Sequence, residues 1–109
     1  MRLYIAGPMS GYPEYNYPAF HAAEAELRAC GYETLNPASN PKPEPETWEG
    51  YMRLAIAQVV QADGLALLPG WMQSKGARVE QDLAVGVLRM PAMPTDWWLN
   101  PPTDSVSTG

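Results

Sequence analysis

At 109 residues the chain has room for one core and not for two, so any cleft lies on the rim of that core or against another subunit. Its net charge of −5 excludes the basic face that a binder of nucleic-acid polymers needs, whereas backbone amides can still hold one small anion. Hydrophobic residues, 46% of the chain, fall in runs far shorter than a membrane span, and the start at Met1 shows no secretory leader; with a single cysteine and so no internal disulfide, a cytoplasmic protein is expected.

"RLYIA" (Arg2 to Ala6) predicts a first strand, ended by Gly7-Pro8 and followed by a loop rich in glycine, serine and tyrosine. From Pro18 to Cys30 the 3.6 period puts Phe20, Ala23, Leu27 and Cys30 on one face, so Cys30 is expected as a buried thiol and His21 as a surface residue. Asn16 or Tyr17 can cap this helix at its start, and Gly31 ends it. "YETL" predicts a second strand, and "NPASNPKPEPE" a proline-rich loop. Thr47 caps a second helix from Trp48 to Ala62, with Trp48, Met52, Ala55, Val59 and Ala62 along its inward stripe. "GLALL" then has the unbroken apolar pattern of a strand covered on both faces. A loop from Gly70 to Ser74 leads into a third helix from Lys75 to Leu88, and "PAM" is a candidate fourth strand. From Asn100 onward no apolar period remains, and residues 100–109 are expected to be disordered. Strands alternating with helices predict one α/β domain over residues 1–99, a small doubly wound parallel sheet of Rossmann-like or flavodoxin-like type with helices on both faces.

Ligands bind such sheets at the carboxyl ends of the strands, where the loops after the first and third strands lie. Ser74 stands at an N-cap position, and with Gly76 it makes the start of the third helix either an anion site or an ordinary cap. On the same helix Glu80 shares the inward face with Ala77, Leu83, Ala84 and Val87. A carboxylate so placed is either a hydrogen-bonded structural group or a catalytic one, and facing anion-binding loops it suits attack on a glycosidic carbon. Trp71, in the loop before Ser74, is the aromatic best placed to stack on a base, while Trp97 and Trp98 are expected to cover an edge or a subunit contact. Asp63 falls at the opposite end of its strand and reads as structural, Lys75, Arg78 and Arg89 read as solvated helix charges, and no residue spacing matches a metal site.

"YIAGPMSG", the "GYE…NPA" stretch, "W…YM" and "LLPGW…S.GA..E" together resemble the nucleoside 2-deoxyribosyltransferase-like superfamily, and within it a group of small, often phage-encoded proteins. The resemblance runs from about Arg2 to Met93. It implies an N-glycosidase or 2-deoxyribosyltransferase in which Glu80 attacks the anomeric carbon and Tyr4 assists. It also implies a nucleoside 5'-monophosphate as substrate, because Ser74 stands six residues before Glu80 as in the 2'-deoxynucleoside 5'-phosphate N-hydrolases, with Gly7, Met9, Ser10, Gly11 and Gly76 around the phosphate. A homodimer or larger homo-oligomer is implied, and neither a metal nor an organic cofactor. Two positions depart from the pattern: Ala55 stands where the superfamily commonly has a second-helix aspartate, and Ser10 where the hydrolases have a cation. A catalytically silent nucleotide-binding protein and a ribonucleotide phosphoribohydrolase are therefore the alternative expectations.

Overall fold

The computed structural model describes residues 1–102; most of the tail expected to be disordered, residues 103–109, lies outside the described residues. Four parallel strands, β1 (Arg2–Ala6), β2 (Glu33–Leu35), β3 (Gly64–Leu67) and β4 (Ala92–Pro94), form one sheet in the order β2-β1-β3-β4. The helices α1 (Tyr17–Ala29), α2 (Trp48–Val59), α3 (Lys75–Asp82) and α4 (Thr95–Leu99) cover it. This is the expected doubly wound arrangement, with the chain leaving β1 and β3 in opposite directions and so opening a crevice between their carboxyl ends.

Side chains alternate across a strand, and here the alternation assigns residues to two separate cores. Leu3, Ile5, Ala66 and Leu68 pack with Phe20, Ala23 and Leu27 of α1 and with Trp98 of α4. Tyr4, Ala6, Leu65 and Leu67 face the other way, toward Ala55 and Val59 of α2 and Ala84 beyond α3. At the amino end of the sheet Asp63 closes the edge: its carboxylate accepts from the Arg2 amide at 2.8 Å, and its own amide donates to the Arg2 carbonyl at 2.7 Å. Asp63 is thus the structural residue that its position suggested.

Four local expectations are corrected. Cys30 is exposed, because it is the C-cap of α1, past the last buried position Leu27, where the chain turns through Gly31 (φ 94°). The third helix does not run regularly to Leu88; α3 ends at Asp82 and continues as a π-helical turn, Leu83–Val87. The wider turn rotates the following side chains, so Val87, expected on the inward face, is 68% exposed. The sequence pattern missed α4 altogether, because five residues are too few to show a period. Trp98 is consequently no surface cover but a core residue, 4% exposed, whose indole donates to the Leu65 carbonyl at 2.8 Å.

The loops that frame the crevice are held by side chains. Asn16 starts α1 in the left-handed region at φ 62° and caps nothing with its side chain, which instead donates to the Pro8 carbonyl at 3.0 Å and ties the β1 loop to the helix. Buried Asn36 accepts from the Ala38 amide at 2.9 Å and folds the start of the proline-rich loop into a 3₁₀ turn, Pro37–Ser39. Asn40 then donates to Gln58 at 2.8 Å and fastens that loop onto α2.

Candidate functional site

At the carboxyl ends of β1 and β3 lies a cavity of about 720 Å³. Its floor is the Tyr4–Glu80 pair. Tyr4 is the middle residue of β1 and by alternation points toward α3, where Glu80 sits one and a half turns from the helix start. The Tyr4 hydroxyl donates to Glu80 Oε2 at 2.8 Å, and the two residues are 1% and 5% exposed. Among the described residues Glu80 Oε1 has no hydrogen-bond partner and no buried side-chain nitrogen or oxygen lacks one, so this oxygen is reached from the cavity.

Burial pushes the Glu80 carboxyl up to about 7, against the opposing effect of the Tyr4 hydrogen bond. Tyr4 is raised well above its ordinary value by burial, then by the charge of Glu80 and the bond to it, so it remains a donor. A carboxyl group that is half ionised near neutrality, with one oxygen fixed by a phenol and the other open, is suited to nucleophilic attack.

The start of α3 forms one side of the cavity. Ser74 accepts from the Ala77 amide at 3.1 Å, an N-cap bond that leaves the amides of Lys75 and Gly76 in the first turn without intrahelical partners. Ser74, Lys75 and Gly76 all line the cavity, and the Lys75 ammonium lies 4.5 Å from the centre of the Trp48 ring. From α2 come the apolar side chains of Met52 and Ala55, the latter at the position where the resemblance anticipates an aspartate. From the β1 loop come Gly7, Met9, Ser10, Tyr12 and Tyr15, from the start of α1 Tyr17, and from the proline-rich loop Lys42 and Glu46. The structure therefore gathers Tyr4, Gly7, Met9, Ser10, Ser74, Gly76 and Glu80 around one space.

Two residues named from the sequence are not brought there. Trp71 opens the 3₁₀ turn Trp71–Gln73 and packs against the core around Tyr4, so it does not line the cavity. Gly11 is likewise absent from the lining; at φ 84° it serves the turn after β1. Gly7 has a packing role beside any ligand role, since a Cβ there would lie 2.8 Å from Leu68 Cβ where β1 and β3 approach closely. Sequence reasoning set Lys75 aside as a solvated charge, yet it stands on the cavity rim, and it passed over Trp48, Tyr51, Lys42 and Glu46. Of these, Trp48 had a signal in its α2 spacing, but the expected inward place is corrected: the buried stripe is Met52, Ala55 and Val59, and Trp48, 43% exposed, lies at the cavity.

Among the described residues no group of three or more histidine, cysteine, aspartate or glutamate side chains could hold a metal ion, and no helix is long and apolar enough to cross a membrane. A family model described as a domain of unknown function, DUF4406, matches residues 1–91, and the chain belongs to that family. No curated protein and no solved structure matches it.

Proposed function

We propose that this DUF4406 member cleaves the N-glycosidic bond of nucleoside 5'-monophosphates, 2'-deoxynucleotides foremost, with Glu80 as the nucleophile. The observation that carries the reading is the buried Tyr4–Glu80 pair at the floor of a cavity whose rim is a helix N-terminus. The phosphate sits against the first-turn amides of α3, with Lys75 supplying positive charge, and this anchors the sugar over Glu80. Glu80 Oε1 attacks C1', the glycosidic bond breaks, and its electron pair leaves with the base nitrogen, which takes a proton from solvent. The glycosyl ester on Glu80 is then displaced by water, or by a second base if the protein is a transferase, and either route returns the carboxylate with net retention at C1'. Tyr4 holds Oε2 so that Oε1 keeps its aim, and it stabilises the carboxylate both before attack and as the ester is cleaved.

The resemblance further suggests a homodimer or larger assembly in the cytoplasm of a bacterial or phage-infected cell; light scattering of the purified protein tests the assembly. A second reading, a protein that holds nucleotides without cleaving them, is favoured by one feature: Ala55 lines the cavity at the α2 position where the resemblance anticipates an aspartate. Chromatography of free base, after incubation with a panel of deoxy- and ribonucleoside 5'-monophosphates, separates the readings. The enzyme releases base and the Glu80→Ala protein does not. Nucleotides that raise the melting temperature but stay intact at long times and high protein concentration overturn the first reading in favour of the second, and faster release from ribonucleotides moves the substrate class to ribose.

A further inference from the structure

One part of the cavity wall carries polar groups that the glycosidic chemistry does not use. The Tyr51 hydroxyl, on α2, donates to Glu46 Oε1 at 2.7 Å, and both side chains line the cavity. Among the described residues Glu46 and Glu80 are the only carboxylates of the lining, and they sit in opposite settings: Glu80 is buried at the floor, whereas Glu46 is exposed. The bond to Glu46 is the main cause that pushes Tyr51 up to about 12, so the phenol stays protonated and stays a donor. Its hydrogen bond occupies one carboxylate oxygen and leaves Oε2 as an acceptor with no hydrogen-bond partner among the described residues.

The surroundings of this pair are aromatic. Tyr15 and Tyr17 stand 5.9 Å apart, centre to centre, and both are near enough to Tyr51 to disfavour its ionisation further. The cavity thus has a side where Lys75 and Trp48 meet the start of α3 and an aromatic side that carries the Glu46 carboxylate, with Lys42 of the same loop also in the lining. With a phosphate on the first side and C1' over Glu80, the base of a nucleotide extends into the second.

We infer that Glu46 reads the base: its free oxygen accepts a hydrogen bond from an exocyclic amino group, so the protein selects amino-substituted bases over their oxo counterparts. This rests on the nucleotide reading of the site given above. A carboxylate can only accept, so an amino N–H is matched while a carbonyl oxygen at the same ring position is repelled. Because Tyr51 already donates to Oε1, Oε2 is the Glu46 oxygen that an exocyclic N–H meets most readily.

Two matched pairs of ligands isolate this contact: 2'-deoxycytidine against 2'-deoxyuridine 5'-monophosphate, and 2'-deoxyadenosine against 2'-deoxyinosine 5'-monophosphate. Calorimetric titration is made on Glu80→Gln protein, in which turnover does not interfere, and again after adding Glu46→Gln. In at least one pair the amino member binds at least about tenfold tighter, and with Glu46→Gln, whose carboxamide can donate, the ratio falls to one or inverts. Tyr51→Phe, which keeps the carboxylate but releases it, lowers the ratio without inverting it. Equal or tighter binding of the oxo members, a preference that survives Glu46→Gln, or no binding of any of the four overturns the assignment of Glu46, even where the wild-type protein releases base from nucleotides. A ratio that behaves as expected in a protein that releases no base from any nucleotide instead overturns the glycosidase and leaves Glu46 as the base reader.

Discussion

On one face of the sheet Leu3, Ile5, Ala66 and Leu68 meet Phe20, Ala23, Leu27 and Trp98 in a closed apolar layer whose polar atoms are all turned to backbone partners, as in the Trp98 to Leu65 bond. On the other face the alternate residues of the same strands meet α2 and α3 around a buried phenol and carboxyl, and the layer opens into a cavity. Five residues of β1 serve both purposes, because successive side chains point to opposite sides. The closed face can hold the fold together while the open face carries a group whose burial is unfavourable whenever it is charged. A one-residue slip of β1 would exchange Tyr4 for Leu3 or Ile5 and lose the pair, so register and site are specified together.

The largest effect that separates the faces is expected on the closed one. Trp98→Ala should destabilise the protein by about 3–5 kcal/mol, from the cavity it leaves and the loss of its bond to Leu65, measured by urea unfolding. The opposite face should show its character in pH dependence instead. Glu80 is pushed up to about 7 when folded, whereas an unfolded glutamate titrates near 4.3, so the folded state holds the extra proton between those values. Stability from protonated Glu80 is therefore complete below about pH 4 and is lost as pH rises through 7. Glu80→Gln removes that loss, so its stability relative to wild type should grow by on the order of 3 kcal/mol between about pH 4 and pH 8. Denaturant titrations at several pH values check this, and a constant difference would mean that Glu80 is not buried as a neutral acid.

Tyr4→Phe sharpens the contrast further. Its hydrogen bond holds the Glu80 carboxyl down, so without it the rising limb of kcat/KM against pH should move to higher pH, with about a 10- to 100-fold lower rate at neutrality. The smallest effect belongs to Ser74→Ala, which removes the cap bond to Ala77 at about 1 kcal/mol of stability and weakens phosphate binding at the same helix start. Thermal melts with and without inorganic phosphate read both effects.

Much of the framework was legible because it rests on period and punctuation. The apolar run of β3, the Thr47 cap of α2 and the inward setting of Glu80 follow from alternation, from a 3.6 spacing and from N-cap chemistry, and all three stand in the structure. What was not legible depends on geometry that one chain segment does not carry. The π turn after Asp82 leaves no mark in an apolar pattern that would equally suit an α-helix, so Val87 was assigned to the wrong face. Trp71 and Trp48 exchanged parts for a similar reason: proximity in sequence to Ser74 favoured Trp71, whereas packing of α2 beside α3 brings Trp48 to Lys75. Glu46 and Lys42 lie in a proline-rich loop with no period at all, and bonds formed across sequence, Asn40 to Gln58 and Tyr51 to Glu46, set that loop on the cavity.

The central claim is that Glu80 bonds covalently to the sugar, and mass spectrometry of rapidly quenched protein tests it most directly. Mixed with a nucleotide from which it releases base, the protein should gain the mass of a pentose phosphate on the peptide that contains Glu80, and the Glu80→Ala protein should gain nothing and release no base. Base release that continues undiminished in Glu80→Ala would contradict the account, as would an adduct on any other peptide.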